Sequence, residues 1–188
     1  MQLETKAKIM NSAFELFAKK GISFSLTEVA SVVGIKKASI YAHFENKDML
    51  VHKMIDDEIK KYFFEINQEN DDLKRIFFGV LEYYNESQIK LLFWKRLLLL
   101  PPESIETELL EKIHFMSDER YEIVKNLVSK DIKTGIVKAH SEEEICLMFF
   151  SLIHGLLSSV LIYHPQDIKQ HYNNIWNIFW NSITNEEA

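Results

Sequence analysis

Apolar residues in this chain recur at intervals of three and four positions and almost nowhere alternate. Ala7, Met10, Ala13, Phe14 and Phe17 share one face of a helix predicted from about Thr5, a candidate N-cap, to Lys20, with Gly21 as its stop. The stretch "SLTEVASVVG" then places Ser25 three residues before Glu28, the spacing of a capping box, and predicts a two-turn helix over Leu26–Val33. Gly34 supplies the positive φ of a tight turn. A short helix follows over about 37–44, and Asn46 caps a fourth over about 47–64. Further helical segments are predicted near 71–86, 88–100, 104–134, 142–164 and 167–184, with breaks at Asn70–Asp71, Pro101–Pro102, Gly135 and Pro165. Only 5 glycines and 3 prolines interrupt 188 residues, so the prediction is an all-α fold.

The third of these helices has the least apolar face. At 100° per residue, Ile40 and Phe44 share one side and, with Ile35, would anchor the helix to its predecessors. Ala38 and Ala42 fall opposite, flanked by Lys37 and Tyr41 on one edge and by Ser39 and His43 on the other. Two short helices joined by a glycine turn form a helix-turn-helix, whose second helix enters the DNA major groove. Small alanines let such a helix approach base edges, and their methyls can meet a thymine methyl. Lysine and serine can reach bases or phosphates. Lys47, in the first turn of the fourth helix, is placed for a phosphate held at that helix N-terminus. Charge distribution supports this reading. Residues 1–47 carry seven lysines and four glutamates, net +3, whereas the rest of the chain is net −9 and the whole is −6.

Residues 5–50, "TKAKIMNSAFELFAKKGISFSLTEVASVVGIKKASIYAHFENKDML", resemble the DNA-binding domain of the tetracycline-repressor (TetR) family of transcriptional regulators. "AFELFAKKG", "LTEVASVVGI", "YAHF" and "NKDML" carry the resemblance. It implies DNA contacts by Thr27, Lys37, Ala38, Ser39, Tyr41, His43 and Lys47, to which Lys36 is added as a neighbouring cation. The family usually caps its recognition helix with Ser or Thr, and here that position is Lys36, a loss of about 1 kcal/mol of helix stability. The position between Tyr41 and His43, often large or polar in relatives, is Ala42. The implied organisation is a helix-turn-helix domain over 1–47 (the motif about 25–44) and a ligand-binding and dimerisation domain over 48–188, with the helix over about 47–64 as connector.

The second half of the chain carries more apolar surface than one subunit can bury. Residues 145–163 hold no charged side chain, and Ile168, Tyr172, Ile175, Trp176 and Phe179 form a stripe on the last helix. Ser151, Gly155 and Ser159 make a smooth ridge for close helix approach. These eight residues are the expected interface of a homodimer built from helices 142–164 and 167–184, which would bind a palindromic operator. The resemblance also implies an inducer cavity. Phe63, Phe78, Tyr83, Phe93, Trp94, Arg96, Phe115, Tyr121 and His154 are its candidate lining, suited to a small apolar or aromatic ligand of unknown identity, although for any one aromatic ordinary core packing is the better account, as are snorkelling to solvent for Arg96 and a hydrogen-bonded core position for His154.

No histidine pairs with another at metal-ligand spacing, and the lone Cys146 has no second cysteine, so no metal or cofactor is expected. No nucleophile–base motif or phosphate loop points to an enzyme. The 145–163 run meets the length of a membrane span, but its serines and histidine and the preceding Glu142, Glu143 and Glu144 favour a helix of a soluble protein. With no signal peptide, a cytoplasmic protein is expected. The reading is a ligand-responsive homodimeric repressor. Its alternatives are a ligand-independent regulator or activator, or a helical protein–protein interaction module.

Overall fold

A computed structural model of the protein describes residues 2–66, 72–102, 107–164 and 168–185. Helices dominate these residues: α1 (Gln2–Lys20), α2 (Leu26–Val33), α3 (Lys37–Ile40), α4 (Lys47–Ile66), α5 (Leu73–Asn85), α6 (Gln88–Leu99), α7 (Thr107–Lys133), α8 (Glu142–Ile162) and α9 (Tyr172–Ile183). Helix α1 begins before Thr5, which therefore does not cap it, and Ala7 is exposed while Ile9, Ala13 and Phe17 are buried. The expected breaks at Asn70–Asp71 and Pro165 involve positions outside the described residues.

The chain divides into two compact units, residues 1–65 with 86–114 and residues 66–85 with 115–188. The expected boundary at residue 47 falls inside the first unit because α6 packs on α1. Phe93, fully buried, lies 4.7 Å from the Phe14 ring and 5.4 Å from that of Phe17. Arg96 on α6 donates from Nε to the Ala18 carbonyl at 3.2 Å and from Nη2 to the Lys19 carbonyl at 3.3 Å. It thereby caps the last turn of α1, where a cation complements the helix dipole. The carboxylate of Asp56 on α4 accepts from Lys60 on its own helix and from Lys112 at the start of α7. Burial raises the Asp56 pKa, but these two ammonium groups outweigh it and hold the carboxyl at about 2.

The second unit is built around aromatic side chains of α5, α8 and α9. Phe77 lies 5.2 Å from Trp176 and 6.5 Å from Phe149, and Phe149 lies 6.0 Å from Phe179. Arg120, buried on α7, donates to the Ile66 carbonyl at 2.6 Å. The chain end is tied down by a short antiparallel bridge between Val137 and Thr184, in which Lys138 N–H donates to Ile183 and Asn185 N–H to Ile136. Cys146 is buried, and that burial pushes its thiol up to about 11, so it stays protonated and unreactive at neutral pH.

Helix α8, apolar nearly all round in sequence, resolves into two faces. Ile145, Cys146, Phe149, Ile153, Leu156, Leu157 and Val160 are buried, while Leu147, Met148, Ser151, His154, Gly155, Leu161 and Ile162 are exposed.

Candidate nucleic-acid interface

Each end of α2 is fixed by its own residues. Ser25 accepts from the Glu28 N–H at 3.2 Å, and the Glu28 carboxylate accepts from the Ser25 N–H at 2.8 Å, so both halves of the capping box are made. Hydrogen bonding from Lys20, and then from Ser25, lowers the Glu28 carboxyl to about 2. At the other end Gly34 takes φ 77° and ψ 33°, the left-handed conformation that a Cβ disfavours. Its N–H donates to the Ala30 carbonyl at 2.9 Å, and the Ile35 N–H donates to the same carbonyl at 3.0 Å.

The turn delivers a very short α3. Lys36 stands at its N-cap position with no side-chain cap, and regular helix ends at Ile40 instead of continuing to Phe44. Residues 41–43 form a turn that keeps the helical direction: Tyr41 has φ −64° and ψ −18°, and the Phe44 N–H donates to the Ile40 carbonyl at 3.0 Å. Ile40 and Phe44 are buried, which fixes the rotation of the segment. Lys36, Lys37, Ala38, Ser39, Tyr41 and Ala42 consequently face solvent, as does Thr27 in the first turn of α2, and His43 is half-buried. The first unit thus presents, next to a capped and tightly turned helix, an outward strip of two lysines, two alanines, a serine and a tyrosine.

Lys47 differs from its expected role. Its ammonium group donates to the Ile22 carbonyl and lies 4.7 Å from the centre of the Phe24 ring. It ties the start of α4 to the turn after α1 instead of standing free for a phosphate. Asn46 does cap α4, its Oδ1 accepting from the Met49 N–H at 2.8 Å. Lys8, Lys19 and Lys20 pair with Glu4, Glu15 and Glu28, and Lys6 lies over the Phe44 ring. Among the seven lysines of residues 1–47, Lys36 and Lys37 make no ion pair or ring contact among the described residues. Val32, on α2, is 64% exposed and is not among the residues singled out from the sequence.

The candidate pocket residues are shared between the two units. Phe63, Phe93, Trp94 and Arg96 belong to the first unit, and Phe78, Tyr83, Phe115, Tyr121 and His154 to the second. Phe93 is consumed by Phe14 and Phe17, and the Trp94 ring lies 4.7 Å from that of Tyr62, tilted at 45°. Arg96 caps α1. Phe63 and Tyr83 are buried, and Phe78 is half-buried and lies edge-on to Phe77. Tyr121 stacks on Phe150, Phe115 is 63% exposed, and His154 is exposed instead of being a core residue. The expected interface residues also separate. Ser151 and Gly155 are exposed and Ser159, Ile168 and Ile175 are half-buried. Tyr172, Trp176 and Phe179 turn inward, because α9 spends its largest side chains on Phe77 and Phe149 of its own unit. Its exposed apolar residue is Ile178, at 71%.

A capped helix, a left-handed glycine and an outward second segment define a helix-turn-helix DNA-binding domain. Residues 9–54 match the model of the bacterial regulatory proteins of the tetR family, so this segment of the chain carries a DNA-binding domain of that family's kind. Two curated relatives are similar to it. One is IcaR, the negative transcriptional regulator of the biofilm operon icaADBC of Staphylococcus epidermidis, 35% identical over 68 residues, 36% of each chain. The other is the uncharacterized regulator YvaF of Bacillus subtilis, 28% identical over 99 residues, 53% of this chain and 45% of that protein. The chain spans less than half the length of these relatives. The fold extends further than the sequence likeness. NalD of Pseudomonas aeruginosa, the secondary repressor of the MexAB-OprM multidrug efflux pump, superposes with a TM-score of 0.68 at 19% identity, over 98% of both chains.

Proposed function

We propose that this protein is a transcriptional repressor that binds an operator as a homodimer and releases it on binding a small apolar ligand. The observation that carries the DNA-binding part is the outward strip Lys36–Ala42, held by buried Ile40 and Phe44 and containing Lys36 and Lys37, which make no ion pair or ring contact among the described residues. Lysines left unpaired on a polyanion-facing surface gain from counterion release, whereas paired ones do not. Repression rather than activation is supported by the negative regulators among the similar proteins.

Pairing of two copies is supported by the outward faces of α8 and α9. No charged residue occurs within 145–163 or 172–183, in a protein with 27% charged residues. Leu147, Met148, Leu161, Ile162 and Ile178 are exposed there, alongside exposed Asn174, Asn177 and Asn181. A Cβ added at Gly155 would meet nothing within 4 Å in the single chain, and the Ser158 and Ser159 hydroxyls are spent on the carbonyls of His154 and Gly155. That leaves a smooth, uncharged surface for another helix pair. A C2 dimer would present two copies of the strip and require a palindromic site. Effector binding rests on the shared fold, of which FadR of Bacillus subtilis, crystallised with stearoyl-CoA, is another example.

The test is selection of bound duplexes from a random pool by the full chain at about 0.1 M salt. The reading expects a recovered site with two inverted half-sites and an affinity that falls steeply with salt. Recovery of no site, or retention on DNA that ignores salt, contradicts it.

A further inference from the structure

The strip lacks most of the side chains by which proteins read base edges. In the major groove, Arg or Lys reads guanine O6 and N7, Asn or Gln reads adenine, Asp or Glu reads cytosine, and apolar groups meet the thymine methyl. Residues 34–44, "GIKKASIYAHF", contain no Arg, Asn, Gln, Asp or Glu, and no arginine occurs before Arg75. The nearby Asn46 carboxamide oxygen is occupied by the Met49 N–H at 2.8 Å, and Lys47 is turned onto Ile22 and Phe24. What faces outward is cationic at one end, where Lys36 and Lys37 stand, and beyond them carries the single short hydroxyl of Ser39 among Ala38, Tyr41 and Ala42. Ala38 and Ala42 are both exposed, and the bond from the Phe44 N–H to the Ile40 carbonyl keeps them one helical turn apart on one side. Tyr41, 50% exposed, adds a ring beside them.

We infer that the protein reads its operator chiefly through thymine 5-methyl groups, which Ala38 and Ala42 meet methyl to methyl, while Lys36 and Lys37 hold the phosphate backbone. This rests on the reading of 36–43 as the DNA probe and adds the chemistry of what it recognises. Two methyls one helical turn apart can reach base pairs near one another in a half-site. The apolar groups discriminate thymine from cytosine by one methyl, without any hydrogen bond to exchange. Specificity of this kind is shallow at each position, and it predicts operator half-sites rich in A·T pairs.

The experiment uses the duplex recovered by selection and replaces each thymine in turn with deoxyuridine, which deletes the methyl and leaves the pairing unchanged. At the thymines facing the strip, affinity should fall about fourfold per methyl, the ratio that burial of one such group gives. Ala38→Gly and Ala42→Gly should each weaken binding to the unmodified duplex and abolish the deoxyuridine effect at one position, so that the two deletions are not additive. Binding of each variant to random DNA at low salt is the control for folding, and the scan with the unaltered protein decides the question where a variant fails that control. A recovered, salt-sensitive site indifferent to every deoxyuridine overturns the inference and leaves the DNA-binding reading standing. Failure to recover any site overturns both.

Discussion

Lys47 and Lys37 lie ten residues apart in the same domain and carry the same group, yet their surroundings assign them opposite work. The Lys47 ammonium is held by the Ile22 carbonyl and the Phe24 ring, whereas Lys37 is exposed at the head of α3. Lys47→Ala should therefore destabilise the first unit by about 1–2 kcal/mol, the worth of one charged hydrogen bond with a cation–π contact. It should leave the salt slope of DNA binding unchanged. Lys37→Ala should lower the slope by about one and leave the melting temperature alone. Melting curves and binding titrations across a salt series check both, and a slope reduced by one in the Lys47 variant would restore the phosphate role expected from sequence. Periodicity marks which face of a helix a lysine occupies. It does not show whether a carbonyl from a turn 25 residues earlier lies within reach. Arg96 was illegible for the same reason, since its partners are the last carbonyls of a helix 77 and 78 residues away.

Among the elements, those whose signals are local came through the sequence intact. Ser25, Glu28 and Gly34 specify α2 at both ends, and the structure reproduces Leu26–Val33 residue for residue. Asn46 starts α4 as expected, and Ser141 caps α8 by accepting from the Glu144 N–H. Where a signal is missing the element shrinks, as in α3, which lacks a side-chain cap at Lys36 and keeps only four helical residues. Long-range placement was not legible. Position 47 lies inside the first unit, where α6 packs on α1, and the Asp56 carboxylate joins α4 to Lys112 of α7. Asp56 has a pKa of about 2 in the folded protein, depressed below the ordinary value of 3.8. Its contribution is fully present above about pH 4 and disappears as pH falls through about 2, because protonation then removes the charge that Lys60 and Lys112 require. Acid titration of unfolding should show a loss of order 1–2 kcal/mol in this window, absent in Asp56→Asn. Equal acid sensitivity of the two proteins would remove Asp56 from the account.

Over the whole molecule, charge is segregated: the first 47 residues are net +3 and the remainder net −9. An anionic body is repelled from DNA and orients the cationic head toward it. In the proposed function, the uncharged outward faces of α8 and α9 serve a third task, pairing. The sequence showed that α8 needed cover on every side. It could not show that Tyr172, Trp176 and Phe179 would be taken by the subunit's own core, leaving Ile178 and the ridge around Gly155 outside. Ile178→Glu places a charge on that face without touching the core, and it should give a monomer with an unchanged helical spectrum and much weakened binding to a two-half-site duplex. Sedimentation of the full chain, alone and with the selected duplex, tests the central claim most directly. The account predicts the mass of two chains in both cases, with the complex dissociating as salt rises. A single chain that ignores the duplex at modest ionic strength would contradict it.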